Sequence, residues 1–126
     1  MSFRYDIPVR YADTDAQGHV FFANYLTYFD EGLTYYLEHL GCPYPSLDAA
    51  MFYGESRVRY LGSARFGDTV RVEGQVTRLG NSSMTTSFRL LRGDDTLAEG
   101  ELTSIWVNQE TRRPVPIPAA LRQALK

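Results

Sequence analysis

One long amphipathic helix, followed only by strand-like segments, most limits how this chain can fold. Between Asn24 and Leu40, large apolar side chains recur at steps of three and four, at Leu26, Phe29, Leu33, Tyr36, Leu37 and Leu40. A Gly-Cys-Pro segment at 41–43 follows as a stop signal. At ~1.5 Å per residue the helix is about 25 Å long, enough to cross a sheet. Gly32 in its middle predicts close packing against another backbone, because a helical glycine otherwise costs about 1 kcal/mol.

The other segments have the period of antiparallel strands. Large side chains fall on alternate positions from Phe3 to Tyr11, where Pro8 indicates either a sheet edge or a short break in the strand. Further strand-like segments run over Met51–Leu61, Thr69–Leu79, Ser83–Arg92 and Thr96–Val107, with turns at Gly80-Asn81 and Gly93-Asp94-Asp95 and a corner at Leu61–Asp68. Prolines at 114, 116 and 118 indicate extended chain before a short helix, Ala119–Lys126. This order predicts an α+β fold in which one helix packs across a five-stranded antiparallel sheet.

Length and composition exclude several classes of protein. The chain has 126 residues, which predicts one domain over residues 1–126. Its 13 basic and 15 acidic side chains are scattered, so no nucleic-acid partner is expected. Cys42 is the only cysteine, which excludes an internal disulfide and indicates a structural thiol in a reducing compartment. No apolar run reaches the roughly 18 residues of a membrane span, so we expect no membrane insertion and a cytoplasmic location.

One helix is too narrow to cover a five-stranded sheet. The open face and the edge strands therefore predict association with another copy, as a homodimer or homotetramer.

The candidate chemistry lies where the first strand leads into the helix. Asp13, Asp15 and Gly18 stand within a few residues of the helix start. A carboxylate can act as a base or a nucleophile, and the free amides of a helix start can hold an oxyanion. This combination suits attack on a carbonyl group. Two carboxylates without a further clustered ligand make a poor metal site, so we expect no metal and no redox cofactor.

These residues carry a family resemblance. The segment Tyr11-x-Asp-Thr-Asp15-x-x-Gly18-His-Val, the Asn24-Tyr25-Leu26 that follows, and Arg59-Tyr60-Leu61 with 64–68 resemble the hotdog-fold acyl-CoA thioesterases of the 4-hydroxybenzoyl-CoA thioesterase group, including those associated with the bacterial Tol–Pal cluster. The resemblance implies a long helix wrapped by an antiparallel sheet, two chains joined edge to edge, and active sites at the dimer interface. It also implies acyl-CoA as the substrate.

The same resemblance assigns roles near the helix start. It implies Asp15 as the catalytic carboxylate and the Phe22 N–H as the oxyanion donor, with His19 as the second choice of base. Tyr11 either orients Asp15, donates a hydrogen bond to the substrate, or is a core aromatic that ends the first strand. Asp13 is expected to be structural, binding loop N–H groups. Asn24 is expected to cap the helix and Tyr25 to pack beside it, while Gly18 and Tyr25 border the substrate.

Coenzyme A contacts are expected elsewhere in the chain. The turn Gly80-Asn81-Ser82-Ser83 corresponds to a family turn that contacts phosphates, although Asn81 replaces a charged residue. Hydroxyl and guanidinium donors remain at Ser82, Ser83, Arg78 and, on another strand, Arg59. Five aromatic residues are candidates for an acyl pocket, most of them core: Phe21, Phe22, Tyr25, Tyr28 and Phe29.

Two positions leave alternatives open. Phe22 stands where the Tol–Pal subgroup carries a histidine implicated in catalysis, and phenylalanine cannot move protons. Glu31 is a second candidate carboxylate, although a solvated or interface glutamate is the simpler expectation. Two rival functions remain: an acyl-thioester hydratase or dehydratase using Asp15 and His19, which the missing Asn-Pro argues against, and a non-catalytic acyl-CoA or acyl-carrier binding protein.

Overall fold

A computed structural model describes residues 2–125, without the side chain of Pro45. In chain order the elements are strand β1 (Ser2–Pro8), helix α1 (Asn24–His39), strands β2 (Ala50–Tyr60), β3 (Thr69–Leu79), β4 (Ser83–Arg92) and β5 (Asp95–Val107), and helix α2 (Ala119–Ala124). Short 3-10 turns cover Tyr11–Asp13 and Tyr44–Ser46. The predicted strands and long helix are confirmed.

All five strands form one antiparallel sheet in the order β1-β3-β4-β5-β2. The edges of the sheet are therefore β1, as one of the two interpretations of Pro8 predicted, and β2. Along α1 the buried side chains are Tyr25, Tyr28, Phe29, Leu33, Tyr36 and Leu37, with Gly32 among them, and they face the sheet. Leu26 and Leu40, which the periodicity placed on this stripe, are only partly buried.

The C-terminal end of α1 follows the predicted stop signal. The Cys42 N–H bonds to the Leu37 carbonyl at 2.9 Å and the Gly41 N–H to the Glu38 carbonyl at 3.0 Å, while Gly41 has a φ of +78°. This is a Schellman ending, which needs a left-handed residue and so favours glycine. The Cys42 side chain is buried, as expected of a structural thiol.

Three sequence expectations about local structure are wrong. The first strand ends at Pro8, because the chain turns through Tyr11–Asp13, and Tyr11 is 77% exposed rather than a core residue. Gly32 does pack closely, but against the Val72 side chain and not a backbone. The terminal helix ends at Ala124; Lys126, its predicted last residue, lies outside the described residues.

Candidate active site

The loop between β1 and α1 folds back on itself as a narrow hairpin. The Phe21 N–H bonds to the Asp13 carbonyl at 2.9 Å, Thr14 and Val20 form an isolated antiparallel bridge, and the Asp15 N–H bonds to the His19 carbonyl at 2.9 Å. Gly18, with a φ of +86°, closes the tip, a conformation that L side chains adopt with strain. Asp15 therefore lies near the tip of a hairpin whose base leads directly into the helix.

Asp15 keeps an accessible and anchored carboxylate. One oxygen, Oδ1, accepts the Gln17 N–H at 2.9 Å, and the side chain is 27% exposed. The other oxygen, Oδ2, lies 3.9 Å from the Nδ1 of His19. One carboxylate oxygen is thus fixed by the loop, while the other lies beside an imidazole and has no closer hydrogen-bond partner among residues 2–125.

The amides of the loop divide into used and free donors. The Gly18, Val20 and Phe21 N–H groups bond to the carbonyls of Asp15, Ala64 and Asp13. Within the described part of the chain, the His19 and Phe22 N–H groups have no hydrogen-bond acceptor, and of these two the Phe22 N–H lies next to the helix start. The broad set of donors expected from Gly18 to Phe22 is therefore reduced, and Gly18 serves the turn instead.

The helix start next to Phe22 carries no side-chain cap. Ala23, which precedes α1, has no oxygen in its side chain, and no side-chain cap hydrogen bond is present there. The expectation that Asn24 caps the helix is wrong, because its Nδ2 donates to the Asp13 carbonyl at 3.0 Å. The first amides of α1, those of Asn24, Tyr25 and Leu26, bond to the carbonyls of Phe21, Phe22 and Ala23. The free Phe22 N–H therefore lies just before the helix, beside the positive end of the helix dipole, which suits a negatively charged oxygen.

Asp13 is structural, as expected, but it binds more than the loop. Its Oδ2 accepts the Arg10 N–H, the Arg10 Nε–H and the Tyr28 hydroxyl at 3.1, 3.0 and 2.8 Å. Burial raises the pKa of Asp13, but these donors outweigh it and hold the pKa below the ordinary 3.8. Arg10 also bonds to Glu31 Oε1 at 2.9 Å. Glu31 is thus ion-paired, and its Oε2 is buried without a described partner. Of the two expectations for this residue, the solvated side chain is wrong and the interface position stays a prediction.

Several aromatic residues lie near the start of α1; some are buried in the core and others are exposed at the surface. Tyr25, Tyr28 and Phe29 are buried. Five others form what we call the aromatic surface; their exposed fractions are 77% for Tyr11, 44% for Phe21, 60% for Phe22, 44% for Tyr60 and 63% for Phe66. These rings pack edge to face in pairs, with Phe22 5.8 Å from Tyr60 and Tyr11 5.8 Å from Phe66.

Tyr25 of α1 forms hydrogen bonds to the main chain of the segment that precedes β3. Its hydroxyl donates to the Gly62 carbonyl at 2.9 Å and accepts the Ala64 N–H at 3.0 Å. Its ring is buried and its hydroxyl is bonded on both sides, so Tyr25 holds the 62–64 segment against the helix; its expected place beside the substrate stays a prediction.

The expected coenzyme A turn lies at the far end of the sheet. β3 begins opposite Pro8, near the Asp15 loop, and ends at Leu79, ten residue steps away or about 33 Å. Arg78, Asn81, Ser82 and Ser83 lie at that far end, where Arg122 and the Ile117 N–H bond to the turn's carbonyls. Arg59, by contrast, is exposed next to Tyr60 and so lies near the helix start.

The sequence interpretation missed the link from Arg10 and Tyr28 to Asp13. The sequence held part of this information, because Tyr28 and Glu31 are three residues apart and therefore share one face of the helix. The sequence could not show that Arg10 contacts this face, because that contact depends on the turn of the chain at Tyr11–Asp13.

The described residues contain neither a metal-binding cluster nor a helix that could span a membrane. Within residues 2–125, no group of three or more His, Cys, Asp or Glu side chains is arranged to hold a metal ion. No helix in this part of the chain is long and apolar enough to cross a membrane.

A sheet of five antiparallel strands against one long helix defines a protein of the hotdog-fold class. The model of the Thioesterase-like superfamily matches residues 9–125, and the chain belongs to that family. It is a thioesterase.

Relatives of similar length agree with this membership. The acyl-CoA thioester hydrolase YbgC of Escherichia coli O6:H1 is 27% identical over 94% of this chain and 92% of its own length. A 1,4-dihydroxy-2-naphthoyl-CoA hydrolase of Thermosynechococcus vestitus is 31% identical over 97% of this chain and 87% of its own length. The two share this chain's size but are named for different acyl groups.

A larger relative and a crystal structure complete the comparison. The chain spans only 21% of an L-carnitine dehydrogenase/betainyl-CoA thioesterase of Ruegeria pomeroyi, with 32% identity over 80% of this chain. The crystal structure of a 1,4-dihydroxy-2-naphthoyl-CoA thioesterase from Synechocystis superposes with a TM-score of 0.92, covering 99% of this chain and 96% of that one at 20% identity. At that identity the likeness shows the fold alone.

Proposed function

We propose that this thioesterase hydrolyses acyl-CoA, with Asp15 as general base or nucleophile and the Phe22 N–H as oxyanion donor. The observation that carries the proposal is the pairing of an anchored, accessible carboxylate with a free amide at an uncapped helix start, both on one short hairpin. The acyl-CoA substrate is supported by the names of the two relatives of similar length.

The proposed chemistry uses only groups of this loop. Asp15 either attacks the thioester carbonyl itself or takes a proton from the attacking water. Negative charge then develops on the carbonyl oxygen, where the Phe22 N–H and the helix dipole stabilise it. The carbon–sulfur bond then breaks and the thiolate takes up a proton. When water is the nucleophile this step releases the free acid directly; when Asp15 is the nucleophile it leaves an acyl-Asp15 anhydride, which a water molecule hydrolyses to release the acid and restore the carboxylate. This scheme needs no metal or redox cofactor.

Phe22 acts in this scheme through its main chain. Its ring packs against Tyr60 and Phe21 and has no proton to transfer. The nearest imidazole to Asp15 is that of His19, at 3.9 Å. The proposed mechanism therefore uses one carboxylate and one backbone donor, without the histidine that the Tol–Pal subgroup carries.

The complete site is proposed to need a second copy of the chain. The aromatic surface exposes five rings around the helix start, more than single scattered apolar residues account for. β2 and β1 both offer unpaired edges. A homodimer would cover these rings and give the expected coenzyme A turn of one chain access to the Asp15 loop of the other. A monomer in sedimentation at assay concentration, with full activity, would overturn this.

Asp15→Asn tests the function directly. If a positioned carboxylate does the proton or nucleophile work, kcat for acyl-CoA falls by about 10²- to 10⁴-fold. Thiol release is measured with benzoyl-CoA and hexanoyl-CoA, and the melting temperature reports on folding. Asp6→Asn, an exposed carboxylate on β1, is the matched control and keeps full activity. Undiminished hydrolysis by Asp15→Asn contradicts the assignment.

The rival hydratase reading has one supporting observation, the proximity of His19 to Asp15. Hydration of crotonyl-CoA, followed by loss of enoyl absorbance, separates the two reactions. We expect thiol release without hydration.

A further inference from the structure

The carboxylate of Asp13 joins the catalytic loop to the interior of the protein. Its side chain is 11% exposed, and one oxygen accepts the Tyr28 hydroxyl together with two Arg10 donors. A buried charge is costly unless several hydrogen bonds compensate for it, and here they do. The side chain of Asp13 is thereby held in one place.

The main chain of the same residue holds both sides of the active site. The Asp13 carbonyl accepts the Phe21 N–H at 2.9 Å and the Asn24 Nδ2 at 3.0 Å. Phe21 immediately precedes the proposed oxyanion donor, and Asp13 lies two residues before Asp15. A shift of Asp13 would therefore move the carboxylate and the amide relative to one another.

Tyr28 is the fixed end of this connection. It is fully buried in α1, and its hydroxyl lies 2.8 Å from Asp13 Oδ2. Burial, reinforced by the hydrogen bond and the charge of Asp13, raises the pKa of Tyr28, so the hydroxyl remains a donor over the working pH range. The Arg10 guanidinium lies 6.0 Å from the centre of the Tyr28 ring and continues to Glu31, which closes the network on the helix.

We propose that Tyr28 is a positioning residue of the thioesterase: acting through Asp13, its hydroxyl fixes the Asp15 carboxylate relative to the free Phe22 amide. This rests on the proposed function, since it assumes that Asp15 and the Phe22 N–H do the chemistry. Tyr28 is buried beneath the loop and does not touch the substrate. Its effect is on the alignment of reacting groups, and a misplacement of about 1 Å can cost about 100-fold in rate.

The test compares two phenol-to-phenyl changes on the same helix. Tyr28→Phe removes the hydroxyl that binds Asp13 and keeps the ring. Tyr36→Phe is the matched control, because Tyr36 is also a buried aromatic of α1, 6% exposed and stacked on Phe3, and its hydroxyl bonds to none of the described residues. Both are assayed for kcat and KM with benzoyl-CoA, at a temperature where circular dichroism shows them fully folded.

Tyr28→Phe is expected to lower kcat by about 10- to 100-fold with KM within about twofold, because alignment and not binding is lost. Tyr36→Phe is expected to keep both constants within twofold. Combining Tyr28→Phe with Asp13→Asn should lower kcat no further than the larger single effect, because both act through one contact. If Tyr28→Phe does not fold, Asp13→Asn alone carries the test, and we expect at least a tenfold loss of kcat.

Two results separate failure of this inference from failure of the proposed function. If Asp15→Asn is inactive and Tyr28→Phe matches Tyr36→Phe, the positioning role is wrong and the function stands. If Asp15→Asn is fully active, the function and this inference are both wrong. Fully additive losses in the double variant would also overturn the inference.

Discussion

Gly32 of α1 lies so close to Val72 of β3 that a β carbon on the glycine would be 2.7 Å from the valine Cγ1. Both residues are buried, and Val72 is fully so. The missing side chain thus sets how near the helix can approach the sheet. That approach also places Tyr28, one turn earlier, against the Asp13 loop.

Gly32→Ala is therefore expected to destabilise the protein, although alanine is the better helix former. The gain in helix propensity is about 1 kcal/mol, while inserting a methyl group into a packed core costs about 1 to 3 kcal/mol. Because Val72 is β-branched and enclosed, it cannot turn away cheaply. We expect a net loss of up to about 2 kcal/mol, measured by urea unfolding.

A double-mutant cycle gives the control. In a Val72→Ala background the space beside Gly32 is open, so the same Gly32→Ala change should become neutral or stabilising. Equal losses in both backgrounds would show that the contact with Val72 is not the cause.

The Phe22 amide can be removed without removing its side chain. Incorporating phenyllactic acid at position 22 replaces the N–H with an ester oxygen. Loss of one oxyanion donor typically lowers kcat by about 10²- to 10³-fold, and we expect a decrease in that range. The measurement is thiol release from benzoyl-CoA under saturating substrate.

Phe22→Ala is the companion variant, because it keeps the amide and removes the ring. Since the ring is 60% exposed and carries no proton, we expect kcat to change by less than about tenfold. The reverse pattern, with the ester active and the alanine variant inactive, would place the function in the side chain.

Asp13 should make the protein's stability depend on acidic pH. Its pKa is lower in the folded protein than the unfolded value of about 3.9, so its contribution is fully present above that value. The contribution is lost as pH falls through the folded pKa. Asp13→Asn should be less stable than the unchanged protein at pH 7, and the difference between the two stabilities should shrink as the pH falls below the unfolded value of about 3.9.

Urea unfolding followed by fluorescence of the buried Trp106 gives both stability curves. Asp6→Asn, an exposed carboxylate, should run parallel to the unchanged protein at every pH. If the Asp13→Asn curve were parallel too, the depressed pKa would be wrong.

The fold was readable from the sequence because its signals are local and periodic. The three- and four-residue steps of α1 and the alternation of β3 and β4 predicted the layers, and Gly41 predicted the helix end. The predictions were wrong where a tertiary contact determines the local conformation. Tyr11 continued the alternation of β1, yet the chain turns there because Asp13 reaches back to Arg10.

The candidate site was readable in part. The family motif indicated Asp15 and Phe22, and the structure adds which amides are already used. Sequence spacing could not show that Asn24 bonds to Asp13, that Tyr25 bonds to Ala64, or that Arg78 lies about 30 Å along the sheet from the Asp15 loop. Those relationships follow from three-dimensional packing and have no periodic signal.

The start of α1 has no side-chain cap beside the proposed oxyanion donor. A side-chain oxygen at such a position commonly adds about 0.5 to 2 kcal/mol, and this chain does without it. An inhibitor with a negatively charged oxygen would provide a hydrogen-bond acceptor at this position. Because it binds the folded protein, it would also raise the melting temperature. Selection for heat resistance alone would favour a residue with a side-chain cap at the start of α1, at the expense of turnover.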